Sequence, residues 1–321
     1  MDVFRESYST YCFVLCMTGL WPDDESLLTR IQRVAFTLLN ISCIVVQATT
    51  LKTAELTLYN TLIMLSYSFP MILYFLRYSW FVMNISEIRA VFESIGRDYS
   101  TMKDPLELGM FMKHMAETRR VIMAYIVLAA LIAAYIIVAI LVPTILHSKL
   151  QLRYLRMFGF FYNEENAQTD WVGLQLVLVS VLGQLALVGT EASGAVFSAY
   201  LCGLFEITSH RVHAAVKDVA NSTSSRQIDI QSAIQIHQRA VELAAQLGKC
   251  MTYSYLMAIV AVVLSFAVNL YRLLLAIKNA DDVENLFFSA SLTLSHILIM
   301  FLDNHSGQKL VSTSVEVFHE T

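Results

Sequence analysis

Charged residues are scarce in this chain. Asp, Glu, Lys and Arg make up 15% of its 321 residues, whereas soluble domains carry about 25%. Four prolines and eleven glycines leave little room for flexible linkers, so we expect a single domain over residues 1–321. Five cysteines form neither a C-x-x-C pair nor a disulfide framework and are interpreted as small apolar packing residues. The net charge of -4 argues against nucleic acid as a partner.

The motifs of common enzymes are absent as well. The sequence contains no phosphate-binding glycine loop, no H-E-x-x-H and no G-x-S-x-G. His210 and His213 are spaced as two ligands of a metal ion could be, but no cysteine or acid is placed to complete the site. We therefore predict no catalytic activity, no cofactor and no metal.

Apolar runs dominate what remains. The stretch from Val121 to Leu146 contains no charged residue and follows Arg119 and Arg120 directly. A soluble helix of this length would carry a polar stripe, whereas this run is long enough to cross a hydrocarbon core roughly 30 Å thick. It is typical of a transmembrane helix.

Similar runs predict an all-α, polytopic membrane bundle embedded in a lipid bilayer. Six spans are expected, at about 34–51, 56–76, 121–146, 172–204, 255–275 and 286–302. Pro70 lies inside the second span, where a membrane helix tolerates it as a bend. The apolar segment at 11–20 is too short to span and is interpreted as an interfacial or re-entrant helix. The tract at 77–120 has helical spacing and is expected beside the membrane or as an extension of the second span.

Lys and Arg are distributed unequally between the two sides. Sixteen lie on the side of the N-terminus and six on the other side. Because cytoplasmic loops carry the excess of positive charge, this bias predicts a cytoplasmic N-terminus. Rhodopsin-like receptors, whose N-terminus is outside, do not fit.

Several short motifs occur in an order that resembles the insect odorant receptors. They cover nearly the whole chain: Gly19-Leu-Trp-Pro22, Asn84-Ile-Ser-Glu-Ile88, Tyr200-Leu-Cys-Gly-Leu-Phe-Glu-Ile207 with Arg211, the helix from His237 to Leu247, and Gly307-Gln-Lys-Leu310 with Ser314 and Phe318. The resemblance implies seven spans, of which the last lines an ion pore. The sequence ends at Thr321, before such a span, so we expect six of seven spans and no pore helix.

The resemblance also implies function. A receptor of this kind binds a small volatile odorant and gates a cation channel as a hetero-tetramer with a co-receptor. It acts in the plasma membrane of sensory-neuron dendrites. Two alternatives stay open: a gustatory-type receptor of similar architecture, and a small-solute transporter, for which the expected internal repeats are not visible.

A ligand pocket is implied among the outer halves of spans two to six. Such a pocket needs apolar and aromatic walls with a few polar groups. The candidate ligand-binding residues are Tyr67, Tyr135, Phe288, Ile63, Val179 and Ser291. For each of them, helix packing or an interfacial aromatic belt is the alternative, and Tyr271 and Phe287 are interpreted as belt residues.

Two charged residues fall inside the apolar runs. Glu191 lies far enough along the fourth span to reach the cytoplasmic boundary, which favours a solvated or salt-bridged structural role over a functional one. Arg272 stands near the end of the fifth span and is predicted to extend outward to the membrane surface.

Overall fold

The computed structural model describes residues 8–53, 57–145, 168–220, 226–278 and 283–320. These residues form eight helices and no strand. The helices are α1 (Ser9–Met17), α2 (Leu27–Thr53), α3 (Leu58–Met83), α4 (Ile85–Thr101), α5 (Pro105–Ile145), α6 (Gln168–Ala220), α7 (Arg226–Lys278) and α8 (Val283–Glu320). The chain is therefore a polytopic helical bundle, as the sequence predicts.

Five of the described helices are long and apolar enough to cross a membrane: α2, α5, α6, α7 and α8. The predicted second span corresponds to α3, which is not among the five. Asn60, Tyr67 and Arg77 are among the polar residues that lower its mean hydropathy, and several of them are buried against other helices. Pro70 lies within α3 without ending it.

The apolar surface of the bundle fits a lipid environment. Large aliphatic and aromatic side chains on α5, α7 and α8 are more than half exposed, including Val127, Ile259 and Phe301. In water such a surface would mark a large interaction site, whereas in a bilayer it faces hydrocarbon. The chain therefore spans a membrane.

The helices extend past the predicted spans. The fourth span lies near the start of the continuous helix α6, which continues past it to Ala220, and α7 begins well before the fifth span, at Arg226. Residues 146–167, which include Leu146 at the end of the predicted third span, lie outside the described residues.

The N-terminal segment packs against the end of the bundle that holds α4. Helix α1 buries Tyr11, Cys12, Val14 and Leu15, and the ring of Phe92 on α4 lies 5.3 Å from that of Phe197 on α6. The helical spacing in the tract at 77–120 thus predicted α4 as a helix, and the structure adds that Ile88, Val91, Phe92 and Ile95 on it are buried. The apolar segment at 11–20, expected as an interfacial or re-entrant helix, forms most of α1 and the turn after it, and Tyr11, Cys12, Leu15 and Leu20 belong to the buried core.

The turn after α1 depends on a glycine. Gly19 has a φ of 71°, a left-handed conformation that costs other residues energy. Arg33 Nε donates to the Gly19 carbonyl at 2.7 Å, and Arg89 Nε donates to the Pro22 carbonyl at 2.7 Å. Two arginines from α2 and α4 therefore fix the Gly19–Pro22 turn.

Candidate ligand-binding cavity

A cavity of about 410 Å³ lies between α3, α5, α6, α7 and α8. This volume is within the range of about 300–1,000 Å³ that small-molecule sites occupy. Most of its lining comes from aliphatic and aromatic side chains such as Met71, Leu128, Ile132 and Leu187. Dispersion and the hydrophobic effect would therefore hold an apolar guest, with few directional contacts.

Three aromatic rings from three helices form one wall. Tyr67 of α3, Tyr135 of α5 and Phe288 of α8 all line the cavity. The Phe288 ring lies 5.0 Å from the Tyr67 ring and 5.9 Å from the Tyr135 ring, centroid to centroid. These separations are typical of favourable aromatic pairs. The structure brings together the three aromatic residues that the sequence singled out.

The other predicted ligand-binding residues divide into two groups. Ser291 lines the cavity. Ile63 and Val179 are buried in the apolar cluster that includes Tyr67 and Phe288, outside the set that lines the cavity. Phe287, interpreted as a belt residue, is exposed and also lines the cavity, with its ring 5.5 Å from that of Tyr135. Tyr271 is exposed, as the belt interpretation expects.

The prediction for Arg272 is wrong. Instead of extending outward, its side chain is buried, and Nη1 donates to the Ser66 hydroxyl at 2.6 Å. Its guanidinium carbon lies 5.4 Å from the Phe288 ring centroid and 5.8 Å from that of Tyr67. These contacts with polar and π groups inside the bundle replace the membrane-surface contacts that an extended arginine would gain.

The Arg272–Ser66 contact belongs to a chain of hydrogen bonds beside the cavity. Ser66 donates to Asn269 Oδ1 at 2.5 Å, and Asn269 Nδ2 donates to the Ser265 carbonyl at 2.8 Å. Ser265 and His296 line the cavity, and His296 Nε2 lies 2.8 Å from the Ser265 hydroxyl. Ser66, Ser265 and His296 were missed in the sequence, although polar residues inside apolar spans are themselves a signal.

Tyr74 and Gln184 form a second polar contact in the lining. The Tyr74 hydroxyl donates to Gln184 Oε1 at 2.7 Å, and both side chains are buried. The Tyr74 ring lies directly on Gly183, where an added Cβ would collide with the ring. The absence of a side chain at this glycine therefore sets how closely α3 approaches α6.

A buried ion pair follows Tyr74 and Gln184 along the same two helices. Arg77 Nε and Nη2 bind the two oxygens of Glu191 at 2.7 and 2.6 Å, and Nη1 donates to the Ser254 hydroxyl at 2.9 Å. The guanidinium also lies 4.4 Å from the Tyr255 ring centroid. Glu191 is thus salt-bridged and buried. Of the two structural roles that the sequence favoured for Glu191, solvated or salt-bridged, the structure has the salt bridge.

A second cavity, of about 580 Å³, lies at the end of the bundle that holds α4. Its lining includes several charged residues, and both arginines among them form ion pairs with acidic residues. Arg239 Nη1 is 2.6 Å from Asp98 Oδ1, and Arg211 Nε is 2.6 Å from Glu107 Oε1. This chemistry does not suit an apolar guest. His210 lines this cavity, and within the described residues no group of His, Cys, Asp and Glu could hold a metal ion.

Comparison with known proteins gives a family and a fold. The family model described as "7tm Odorant receptor" matches residues 28–321. No curated protein matches the chain.

Among solved structures, the chain is similar to the insect olfactory receptor OR5 from Machilis hrabei, determined in complex with eugenol. The match has a TM-score of 0.73 and 9% sequence identity, and it covers 98% of this chain and 90% of that one. At this identity the likeness shows a shared fold.

Proposed function

The chain belongs to the odorant receptor family, and on this premise we propose that it is a receptor subunit that binds small, volatile, mostly apolar molecules. The apolar cavity between α3, α5, α6, α7 and α8 carries this proposal. Its aromatic wall of Tyr67, Tyr135 and Phe288, together with Ser291, would contact the ligand, while Ile63 and Val179 would support the wall from behind. Eugenol, with which the similar receptor was determined in complex, is itself a small, volatile, mostly apolar molecule.

The coupling to signalling is the second half of the proposal. We propose that the chain forms one receptor domain in the plasma membrane of sensory-neuron dendrites, with a cytoplasmic N-terminus. There it gates a cation channel as a hetero-tetramer with a co-receptor. A ligand shifts a closed–open equilibrium only if it binds the open state more tightly. The cavity is suited to such a difference because its walls come from five separate helices.

The test of function is recorded current. Cells would express the chain together with an odorant co-receptor, and a panel of volatile ketones, esters and phenols would be applied. A cavity-filling variant, Leu292→Trp, places a large ring where Leu292 lines the space. Its matched control, Leu298→Trp, changes an exposed residue on the same helix.

We expect ligand-evoked current in the wild type and in Leu298→Trp, and its loss in Leu292→Trp when surface expression is unchanged. Ligand-evoked current of equal size in Leu292→Trp would contradict the proposed site. Binding without current in any combination with a co-receptor would contradict the channel role and leave the binding role standing.

A further inference from the structure

The hydroxyl groups that line the cavity mostly use their protons within the protein. Ser66 donates to Asn269 Oδ1, Tyr74 to Gln184 Oε1, Ser291 to the Phe287 carbonyl and Ser295 to the Ser291 carbonyl. These four hydroxyl groups therefore offer no hydrogen-bond donor to a ligand.

The Ser265 hydroxyl also donates its proton within the protein, to His296. This follows from the tautomer of the His296 ring. His296 Nδ1 lies 2.6 Å from the Leu292 carbonyl oxygen, which can only accept. Nδ1 must therefore carry a proton, and when the ring is neutral Nε2 accepts. The Ser265 hydroxyl, 2.8 Å from Nε2, is then the donor of that bond.

Two side chains on the α6 wall differ from these. Ser180 and Gln184 are 6% and 5% exposed, and both line the cavity. Within the described part of the chain, no hydrogen bond involves the Ser180 hydroxyl or Gln184 Nε2. Because the two residues are one helical turn apart, they lie on the same face of α6. Tyr74 occupies Gln184 Oε1 and so leaves the amide N–H groups of that side chain available.

In an apolar cavity without a ligand, the Ser180 hydroxyl and Gln184 Nε2 have no acceptor among the residues that the structure describes. A buried polar group without a hydrogen-bond partner costs free energy, so a ligand that accepts from these groups is favoured. None of the described residues that line the cavity is acidic, so none of them could accept a charge-assisted bond from these donors or attract a cationic ligand. The guanidinium of Arg272 lies behind the aromatic wall, which further disfavours cations.

We infer that Ser180 and Gln184 form a polar subsite that donates hydrogen bonds to an oxygen acceptor on the ligand. The ligand class is then a small apolar molecule with a carbonyl, ester or ether oxygen, in preference to hydrocarbons and amines. The inference rests on the proposed function and specifies the chemistry of the same cavity.

The test uses pairs of probes that differ in one group. Methyl ketones of increasing chain length are compared with 1,1-disubstituted alkenes in which =CH₂ replaces the carbonyl oxygen, such as 2-octanone and 2-methyl-1-octene. Binding to the full chain in lipid nanodiscs is measured as depletion of the volatile from the headspace, with empty nanodiscs as the blank.

In the wild type we expect each ketone to bind roughly three- to tenfold more tightly than its alkene, as one or two net hydrogen bonds imply. Gln184→Leu should remove the larger part of the ketone's advantage over its alkene, with a much smaller effect on alkene binding. Ser180→Ala should give a smaller loss in the same direction, and it leaves the Tyr74–Gln184 bond intact. Gln235→Leu, at an exposed position on α7, should leave both unchanged.

Equal affinities for ketone and alkene in the wild type would overturn the inference while the proposed function stands. An equal loss of both probes in Gln184→Leu and in Ser180→Ala would overturn it as well. If no member of either series binds the wild type saturably, the proposed function fails and the inference fails with it.

Discussion

The ring of Tyr67 on α3 lies 5.0 Å from the ring of Phe288 on α8, although the two residues are far apart in the sequence. Both line the cavity, and the Arg272 guanidinium lies against both rings. A ligand that contacts this pair therefore touches two helices that no short loop connects. If a ligand moved either ring on binding, the packing between α3 and α8 would change.

Removal of the shared ring should weaken ligand binding. In Phe288→Ala the wall loses the ring that pairs with Tyr67 and Tyr135. A ring contact worth up to about 1.5 kcal/mol corresponds to roughly a tenfold loss of affinity. Phe301→Ala, an exposed position on the same helix, is the control and should bind as the wild type does. Equal affinity of Phe288→Ala and the wild type in the headspace assay would contradict this role.

Removing one partner of the Arg77–Glu191 pair should destabilise the protein far more than replacing both partners by apolar residues. Glu191→Gln leaves the buried guanidinium without its charge partner, which we expect to lower the free energy of unfolding by about 3–5 kcal/mol. Replacing both residues, as in Arg77→Met with Glu191→Leu, should cost much less because no charge is left buried.

The measurement for this pair is thermal unfolding of both variants in the same detergent. If the double variant melts at the same temperature as Glu191→Gln or below it, the pair is not acting through its charges. A double variant close to the wild type supports the account.

Gly183 should be intolerant of a side chain because the Tyr74 ring occupies its Cβ position. We expect Gly183→Ala to displace that ring, break the Tyr74–Gln184 bond and lower both stability and ligand affinity. Gly109→Ala on α5 is the matched control, since a Cβ there meets nothing within 4 Å. The control should gain up to about 1 kcal/mol from helix propensity. The same melting temperature for the two variants would contradict the close packing of Tyr74 on Gly183.

The start of α2 should respond to acid. The Asp24 carboxylate accepts a hydrogen bond from the Thr29 hydroxyl at 2.7 Å and one from the Ser26 amide at 2.9 Å. These bonds, with Thr29 the larger cause, hold the pKa of Asp24 below its ordinary value of 3.8. The resulting stabilisation is fully present above that ordinary value and is lost as the pH falls through the lower folded-state pKa.

The corresponding measurement compares the wild type with Asp24→Ala across this acid range. We expect a small excess of thermal stability in the wild type at neutral pH, small because Asp24 is exposed. The excess should shrink as the carboxylate is protonated. A difference between the two proteins that stays constant through the acid range would contradict the assignment.

The sequence predicted the features that depend on composition and local spacing. Uncharged runs such as 121–146 predicted the helices, and the helical spacing in the tract at 77–120 predicted α4. The aromatic residues Tyr67, Tyr135 and Phe288 could be chosen because aromatic side chains in the outer halves of spans suit an apolar pocket.

Contacts between distant helices were not predictable in this way. Arg272 would reach the membrane surface if α7 stood alone, and only its approach to Ser66 and the two rings makes burial favourable. Tyr74, Gln184 and Gly183 form a site together because of how α3 packs on α6, which no spacing within either helix encodes. Ile63 and Val179 were predicted as ligand-binding residues; the structure buries both beside Tyr67 and Phe288, and neighbouring side chains on the same helices line the cavity instead.

The central claim is that the cavity binds small apolar molecules, and headspace binding with a pair of adjacent variants tests it most directly. Val262 lines the cavity, whereas Val263 is 51% exposed on the outer face of the same helix. Both would be changed to Trp in the full chain in nanodiscs, and saturable binding of ketones would be measured. We predict saturable binding by the wild type and by Val263→Trp, and its loss in Val262→Trp. Equal saturable binding by both variants, or none by the wild type, would contradict the account.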